Sequence, residues 1–256
     1  MNIHFYKYEG TGNDFIMVDN RDLSFPKKEE TIRLLCDRRF GIGADGLILL
    51  EESVEHDFKM VYYNSDGRES TFCGNGGRCV ASFARKLNLV EEKTQFEAKD
   101  GLHQATFHGS AVRLKMRDVT EVKTILDGYE LFTGSPHFVV FTDHVAQTDV
   151  HKEGRRIRTM DHNMPDGINV NFVEKQSDGI YVRTYERGVE DETLSCGTGV
   201  TASALVASLN GYNSPVQVQT PGGMLEVEFI REAGSTFRNV FLKGPARFVF
   251  EGHFEI

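Results

Sequence analysis

Two cysteines in this chain stand where thiols do chemistry. Cys73 opens the run CGNGGRC and Cys196 opens CGTGVTA, so each lies directly before a Gly-x-Gly turn that leads into an apolar stretch. A turn that becomes a helix leaves several N–H groups outside the helical ladder and gathers about half a positive charge there. Such a place binds anions, carboxylates included. The same field favours a thiolate over a thiol. Glycines at 74, 76 and 77, and at 197 and 199, let a ligand approach the backbone. With the two elements on either side of a cleft, one thiolate can take the α-proton of a bound amino acid while the other sulfur, a thiol, returns a proton to the opposite face. The carbon inverts. Acid–base help of this kind contributes roughly a hundred- to ten-thousand-fold. Each donor aimed at the growing carboxylate charge adds about 3 kcal/mol, so the glycine turns matter as much as the sulfurs.

The elements that position the two cysteines repeat. YNSDGRESTFCGNG from Tyr63 aligns with YERGVEDETLSCGTG from Tyr185 once one residue is inserted, and Asn64 then matches Glu186. The cysteines are 123 residues apart, about half of a 256-residue chain. Two homologous halves follow: residues 1–118, joined by a C-terminal strand near 245–256, and residues 119–244. Cys36, on an amphipathic helix, and Cys79, inside the helix that Cys73 opens, read as small buried hydrophobes.

Short alternating runs dominate, among them IHFYKY, DFIMVD, LILLEE, FKMVYYN, HFVVFTD, INVNFVE, IYVRTYE and LEVEFI. They predict half-buried antiparallel strands separated by Gly and Asp/Asn turns. EETIRLLCDRR predicts a surface helix. GRCVASFARKLNL predicts a helix with Val80, Phe83, Ala84 and Leu87 on one face. GTGVTASALVASLNG carries no charge at all and predicts a helix buried on every side. The class is therefore α+β: two pseudo-symmetric halves, each an antiparallel strand layer or barrel wrapped on a central helix, with the site in the cleft between them. GIGADG, residues 41–46, satisfies the dinucleotide fingerprint, but a helix precedes it and a strand follows, the reverse of what that fingerprint needs. It reads as a turn.

Composition narrows the function classes. The formal net charge of −9 and the lack of a Lys/Arg run argue against nucleic-acid binding. No apolar run approaches the ~18 residues of a membrane helix, and MNIHFYKYEG shows no signal-peptide core. The expectation is a cytoplasmic protein with reduced cysteines. Cysteine and histidine spacings match no zinc motif, so neither a metal nor a cofactor is expected.

The same residues resemble a known family. KYEGTGNDFIMVD, RRFGIGADG, YYNSDGRESTFCGNGGRC, GSPHFVVF, GINVNFVE, YERGVEDETLSCGTG and TPGGMLEVEF stand in the order found in the diaminopimelate epimerases, across almost the whole chain. The resemblance implies pyridoxal-independent interconversion of LL- and meso-diaminopimelate, in lysine and cell-wall precursor synthesis, with Cys73 and Cys196 as the two bases. It implies that backbone at Gly74, Asn75, Gly197 and Thr198 holds the reacting carboxylate. Asn13, Asn64, Asn169, Glu186 and Arg187 match positions that hold the distal end or line the site, and Glu186 with His137 matches a supporting pair. It also implies a homodimer. By residue type alone, Asn13 and Asn64 are ordinary turn residues, Arg187 a surface ion-pair partner and His137 a core histidine. Three departures from the family pattern stand out: Gly46 where Gln is usual, Ser135 where Asn is usual, and one extra residue before Cys196.

Two other readings fit the paired cysteines. A proline or hydroxyproline racemase uses the same two-thiol logic on a one-headed substrate. An anion-binding, redox-sensing dithiol protein would use the pair as a switch instead.

Overall fold

The computed structural model describes residues 1–125, 127–160 and 167–256. The chain divides into two compact units, one of Met1–Leu114 with Gly244–Ile256 and one of Lys115–Lys243. No helix among the described residues is long and apolar enough to cross a membrane.

The first unit contains β1 (Asn2–Gly10), β2 (Asn13–Asp19), α1 (Glu29–Cys36), β3 (Gly46–Glu51), β4 (Phe58–Asn64), α2 (Gly74–Lys86), β5 (Lys93–Ala98), β6 (Gly101–His108) and β7 (Ala111–Lys115). A C-terminal strand, Arg247–Glu255, pairs antiparallel with the outer side of β1. From there the pairing runs β1–β2 antiparallel, β2–β3 parallel, β3–β4 antiparallel, β4–β5 parallel, then β5–β6 and β6–β7 antiparallel. The second unit repeats that scheme with β8 (Val122–Ile125), β9 (Gly128–Phe132), β10 (Pro136–Phe141), α3 (Val150–Arg158), β11 (Asn169–Gln176), β12 (Gly179–Glu186), β13 (Asp191–Thr193), α4 (Gly197–Leu209), β14 (Val216–Thr220), β15 (Gly223–Arg231) and β16 (Phe237–Pro245). Its parallel pairs are β10–β11 and β12–β14, and its remaining pairs are antiparallel.

The layers are thus mixed, which corrects the expectation of wholly antiparallel strands. Alternation of side chains reports which face is buried, not which way the neighbour runs. Each parallel pair requires a crossover, and here each crossover contains a helix: α1, α2, α3 or α4. The α3 helix was absent from the sequence reading, and it occupies the place in the second unit that α1 has in the first. EETIRLLCDRR stops being helical at Cys36, because the Asp37 carboxylate accepts the N–H groups of Arg39 and Phe40 and turns the chain. GIGADG then leads from α1 into β3 and opens no helix, as its order predicted.

Helices on both faces explain the continuous apolar runs FIMV and LILL. Ile16, Val18, Leu47 and Leu49 cluster with Ile32 and Leu35 of α1. Phe15 and Ile48 point the other way, to Gly76 of α2, where a Cβ would lie 2.9 Å from Ile48 Cδ1. In the second unit Val170 and Phe172 pack on Val150 and Ile157 of α3, while Asn171 points to α4. There the backbone comes so close that a Cβ on Gly199 would sit 2.3 Å from Asn171 Oδ1. The α4 helix is buried along its length apart from Thr198 and Leu209, as its lack of charge predicted. The last turns of α2 are amphipathic, with Phe83 fully buried between Tyr6 and Tyr8 at centroid distances of 4.8 and 5.9 Å.

Phe83 should therefore be a main support of α2. Phe83→Ala is expected to cost about 3–5 kcal/mol, read as a lower urea midpoint. A change under about 1 kcal/mol would show that α2 is held by other contacts.

Candidate active site

Cys73 and Cys196 are the N-cap residues of α2 and α4, both in extended backbone conformation and neither using its side chain to cap the helix. The first helical bonds are Gly77 N–H to Cys73 O at 2.7 Å and Val200 N–H to Cys196 O at 2.8 Å. The amides before them, at Gly74, Asn75, Gly197 and Thr198 among others, lie ahead of the helical ladder. Each helix start thus offers the anion-binding field expected of it. Cys73 is half-buried and Cys196 buried. Burial pushes the Cys36 thiol up to about 12 and raises that of Cys79 further, so both stay protonated.

In the first unit the structure brings together Cys73, Asn13 and Asn75. Cys73 Sγ donates to Asn13 Oδ1 at 3.5 Å, and Asn75 Nδ2 donates to the same oxygen at 3.4 Å. Asn13 Nδ2 donates to Asp45 Oδ2 at 2.6 Å. Asp45 shares Arg38 with Asp14, and Lys7 pairs with Asp14 at 2.7 Å. Burial works against charge at Asp14, but hydrogen bonds from Arg38 and Lys7 outweigh it and hold its carboxyl at about 2. Arg78, fully buried in α2, donates from Nη2 to Asn75 Oδ1 and to Thr11 Oγ1, both at 3.0 Å, and from Nε to Pro245 O at 3.2 Å. Its Nη1 has no hydrogen-bond partner among the described residues. Asn64 ends β4 opposite Gly46, its side chain exposed.

In the second unit Cys196, Thr198, His137 and Asn169 come together with Ser135. Cys196 Sγ lies 3.4 Å from Thr198 Oγ1, and that oxygen lies 2.9 Å from His137 Nε2 and 3.1 Å from Ser135 Oγ. Asn169 Nδ2 donates to Ser135 Oγ at 3.2 Å, and Asn169 Oδ1 accepts the Arg187 N–H at 2.9 Å. Arg187 also donates from Nη1 to Gly167 O, and Glu186 Oε2 accepts from Thr193 Oγ1 at 3.0 Å. His137 is wholly buried. Burial first, then the charge of Arg187, push its pKa down to about 3 against the Asn171 hydrogen bond, so the ring is neutral.

Sequence reasoning missed Arg78, Asp45, Thr11 and Asn171. Asn171 had a signal, since INVN puts two asparagines on one face of a strand. Arg78 had one too, as an arginine inside an otherwise small and apolar helix start. The three departures now have physical accounts. At position 46 a Cβ would lie 2.6 Å from both the Tyr62 ring and Tyr63 O, so this backbone has no room for a side chain there. Ser135 joins the hydroxyl cluster at Thr198. The extra residue sits in a turn: Tyr63 pairs with Glu69, but Tyr185 pairs with Glu192.

A family model described as diaminopimelate epimerase matches residues 5–122 and again 131–249. The chain belongs to the diaminopimelate epimerase family. It is an isomerase of the epimerase class. Among curated relatives, the diaminopimelate epimerase of Flavobacterium psychrophilum is 56% identical over 96% of this chain and 98% of its own length. That of Aquifex aeolicus is 42% identical over 98% and 97%. Among solved structures, a phenazine biosynthesis protein of the PhzF family from Bacillus anthracis superposes with a TM-score of 0.77 at 16% identity, covering all of both chains. A hydroxyproline epimerase from Agrobacterium vitis does so at 0.70 and 15%, covering 98% of this chain and 92% of its own. At those identities the likeness is one of fold.

The buried neutral histidine has a consequence for stability. Unfolded, His137 takes up a proton near pH 6.5; folded, only near about 3. Between those values the unfolded state binds more protons, so stability falls as pH drops from 6.5 toward 3. The matching loss from Asp14 comes lower, between 3.8 and about 2. Urea midpoints measured at pH 7.5, 5.5 and 4.5 should decline, and His137→Gln should flatten that decline. An unchanged slope in the variant would remove His137 as its source.

Proposed function

We propose that this chain epimerises LL-diaminopimelate to meso-diaminopimelate, with Cys73 and Cys196 as the two bases of a pyridoxal-independent inversion. The observation that carries the mechanism is the duplicated element: a cysteine at the uncapped start of a buried helix, once in each unit. Family membership and the 56% identical relative support the substrate.

The chemistry runs as follows. The reacting carboxylate takes hydrogen bonds from the amides at Gly74, Asn75, Gly197 and Thr198, which also receive the negative charge that develops on its oxygens as the Cα–H bond breaks. A thiolate removes the α-proton, and a thiol on the opposite face of the carbon delivers another. After each turnover the two sulfurs have exchanged protonation states, so the enzyme meets the product isomer in mirror fashion. The two sulfurs carry the protons and the helix amides carry the charge; no prosthetic group or metal has a role in these steps. At the distal end Arg187 suits a carboxylate, because a guanidinium binds it through a two-pronged contact, and Glu186 suits an ammonium. Asn13, Asn64 and Asn169 complete the polar lining, and His137 supports Thr198. The reaction belongs to lysine and peptidoglycan precursor synthesis in the cytoplasm. Exposed Phe248, Val249 and Phe250 on the C-terminal strand favour a homodimer that would cover them; a single monomeric species in sedimentation at micromolar concentration would exclude it.

Cys73→Ala and Cys196→Ala should each lower epimerisation of LL-diaminopimelate by more than about a thousandfold, since removing either base removes one of the two proton transfers. Retained turnover in either variant takes that cysteine out of its role. Wild-type protein assayed on proline and hydroxyproline alongside should be inactive there; inversion of proline alone would reassign the substrate. Reduced protein that washes deuterium into no amino acid would favour a dithiol sensor.

A further inference from the structure

Arg78 is a buried charge without an opposite charge beside it. Its hydrogen bonds among the described residues go to neutral oxygens, those of Thr11, Asn75 and Pro245, and its Nη1 has none. The side chain is fully buried in the opening turns of α2. Burial of an unpaired cation is costly, and a cation near a helix start opposes the dipole there. Burial lowers the Arg78 pKa, yet a guanidinium keeps its charge at neutral pH. The guanidinium is also held closely in place. A Cβ on Gly10 of β1 would lie 3.3 Å from Arg78 Nη2.

Packing alone does not demand this charge. Thr201 stands at the matching place in α4, as far after Cys196 as Arg78 is after Cys73. It is buried too, and its hydroxyl donates within its own helix to Gly197 O at 2.9 Å. A neutral residue thus serves the same helix-on-layer packing in the second unit.

Against the burial cost, the groups that favour the charged guanidinium are Cys79, Cys73 and Glu9. Cys79 stays a thiol, because burial raises its pKa far above neutrality. Glu9 is committed to Arg247 at 2.8 Å and accepts the Gly12 N–H at 3.1 Å. Cys73 is the third, and the two-base reaction requires it to be a thiolate at one stage of each cycle. Fixed contacts lead from the guanidinium to that sulfur. Arg78 Nη2 donates to Asn75 Oδ1 at 3.0 Å, Asn75 Nδ2 donates to Asn13 Oδ1 at 3.4 Å, and Cys73 Sγ lies 3.5 Å from the same oxygen.

We infer that Arg78 is a positioning residue of the reaction: its guanidinium fixes Asn75 at the start of α2 and supplies the buried positive charge against which Cys73 carries its charge as a thiolate. This deepens the two-cysteine reading and rests on it for its catalytic meaning. The other charged groups on this side do not take over the task. Behind Asn13, Asp14 and Asp45 are matched by Lys7 and Arg38, at 2.7 and 2.8 Å, so that cluster is balanced within itself. His103 stacks at 3.8 Å on Phe72, the residue before Cys73, and directs its Nε2 to Asp100 Oδ1 at 3.0 Å.

The test is the pH dependence of iodoacetamide alkylation at Cys73, followed by peptide mass spectrometry in reduced, substrate-free protein, for the wild type, Arg78→Gln and Arg78→Lys. Buried Cys36 and Cys79 should stay unreactive while the protein is folded, so they report on folding in the same samples. Arg78→Gln should raise the Cys73 midpoint by about one pH unit or more. Arg78→Lys keeps the charge and should hold the midpoint near the wild-type value. An unshifted midpoint in Arg78→Gln, or an equal rise in both variants, overturns the inference. Should Arg78→Gln fail to fold, the wild type and Cys73→Ser decide. Between pH 7 and 9.5 the urea midpoint of the wild type should gain on that of Cys73→Ser, because a thiol that ionises more readily folded than unfolded adds stability as pH rises. No gain, or a loss, overturns the inference as well. Epimerisation assays on the same samples separate the two ideas. Active wild-type protein with an unshifted Arg78→Gln midpoint sinks only the inference, and the expected shift without epimerisation by the wild type sinks only the two-base reading.

Discussion

The proposed chemistry depends on two helix starts, one in each unit, that their own N-cap side chains leave unclaimed. Ser, Thr, Asp or Asn would be the stabilising choice at such a position, and giving them up costs about 0.5–2 kcal/mol each. Cys73 and Cys196 make no capping bond, and neither α2 nor α4 has an acidic residue in its first turn. The field of each helix start is therefore not quenched from within. Burial of both helices from their first residues onward supplies the stability that caps normally add, and the glycines at their starts allow that burial.

How far the sequence was legible follows from which interactions are local. The duplication, the two cysteines and the buried character of α4 were all visible, since a local pattern specifies each. Strand direction was not, because it depends on what lies between two strands. The α3 helix escaped for a related reason. VHKEGRRIR is mostly charged and buries only Val150, Gly154 and Ile157. It packs on β12 through Gly154, where a Cβ would meet Tyr185 Cβ at 2.3 Å, so its inward face carries little apolar signal. The repeat itself would have predicted α3 opposite α1. The edge strand β8 is short and largely exposed on both faces, and nothing in its pattern marks it.

The polar networks were the least legible part. Asn13, Asn75, Asn169 and His137 could be named, but their partners Asp45, Arg78, Thr11, Asn171 and Thr184 come from distant segments. Hydrogen-bond polarity is set by groups with no freedom of role: a guanidinium, a carboxylate and a backbone carbonyl. These fix the orientation of every amide and ring between them. Only the assembled fold shows where such a chain of donors begins and ends.

The strand Arg247–Glu255 lies against β1, with Glu255 opposite Asn2. It does for the first unit what β8 does for the second, flanking the strand that begins the repeat. The second unit is continuous in the chain, while the first needs a segment translated almost a full chain length after β1. On the ribosome the unit that begins first is thus completed last, and its neighbour has every strand it needs earlier.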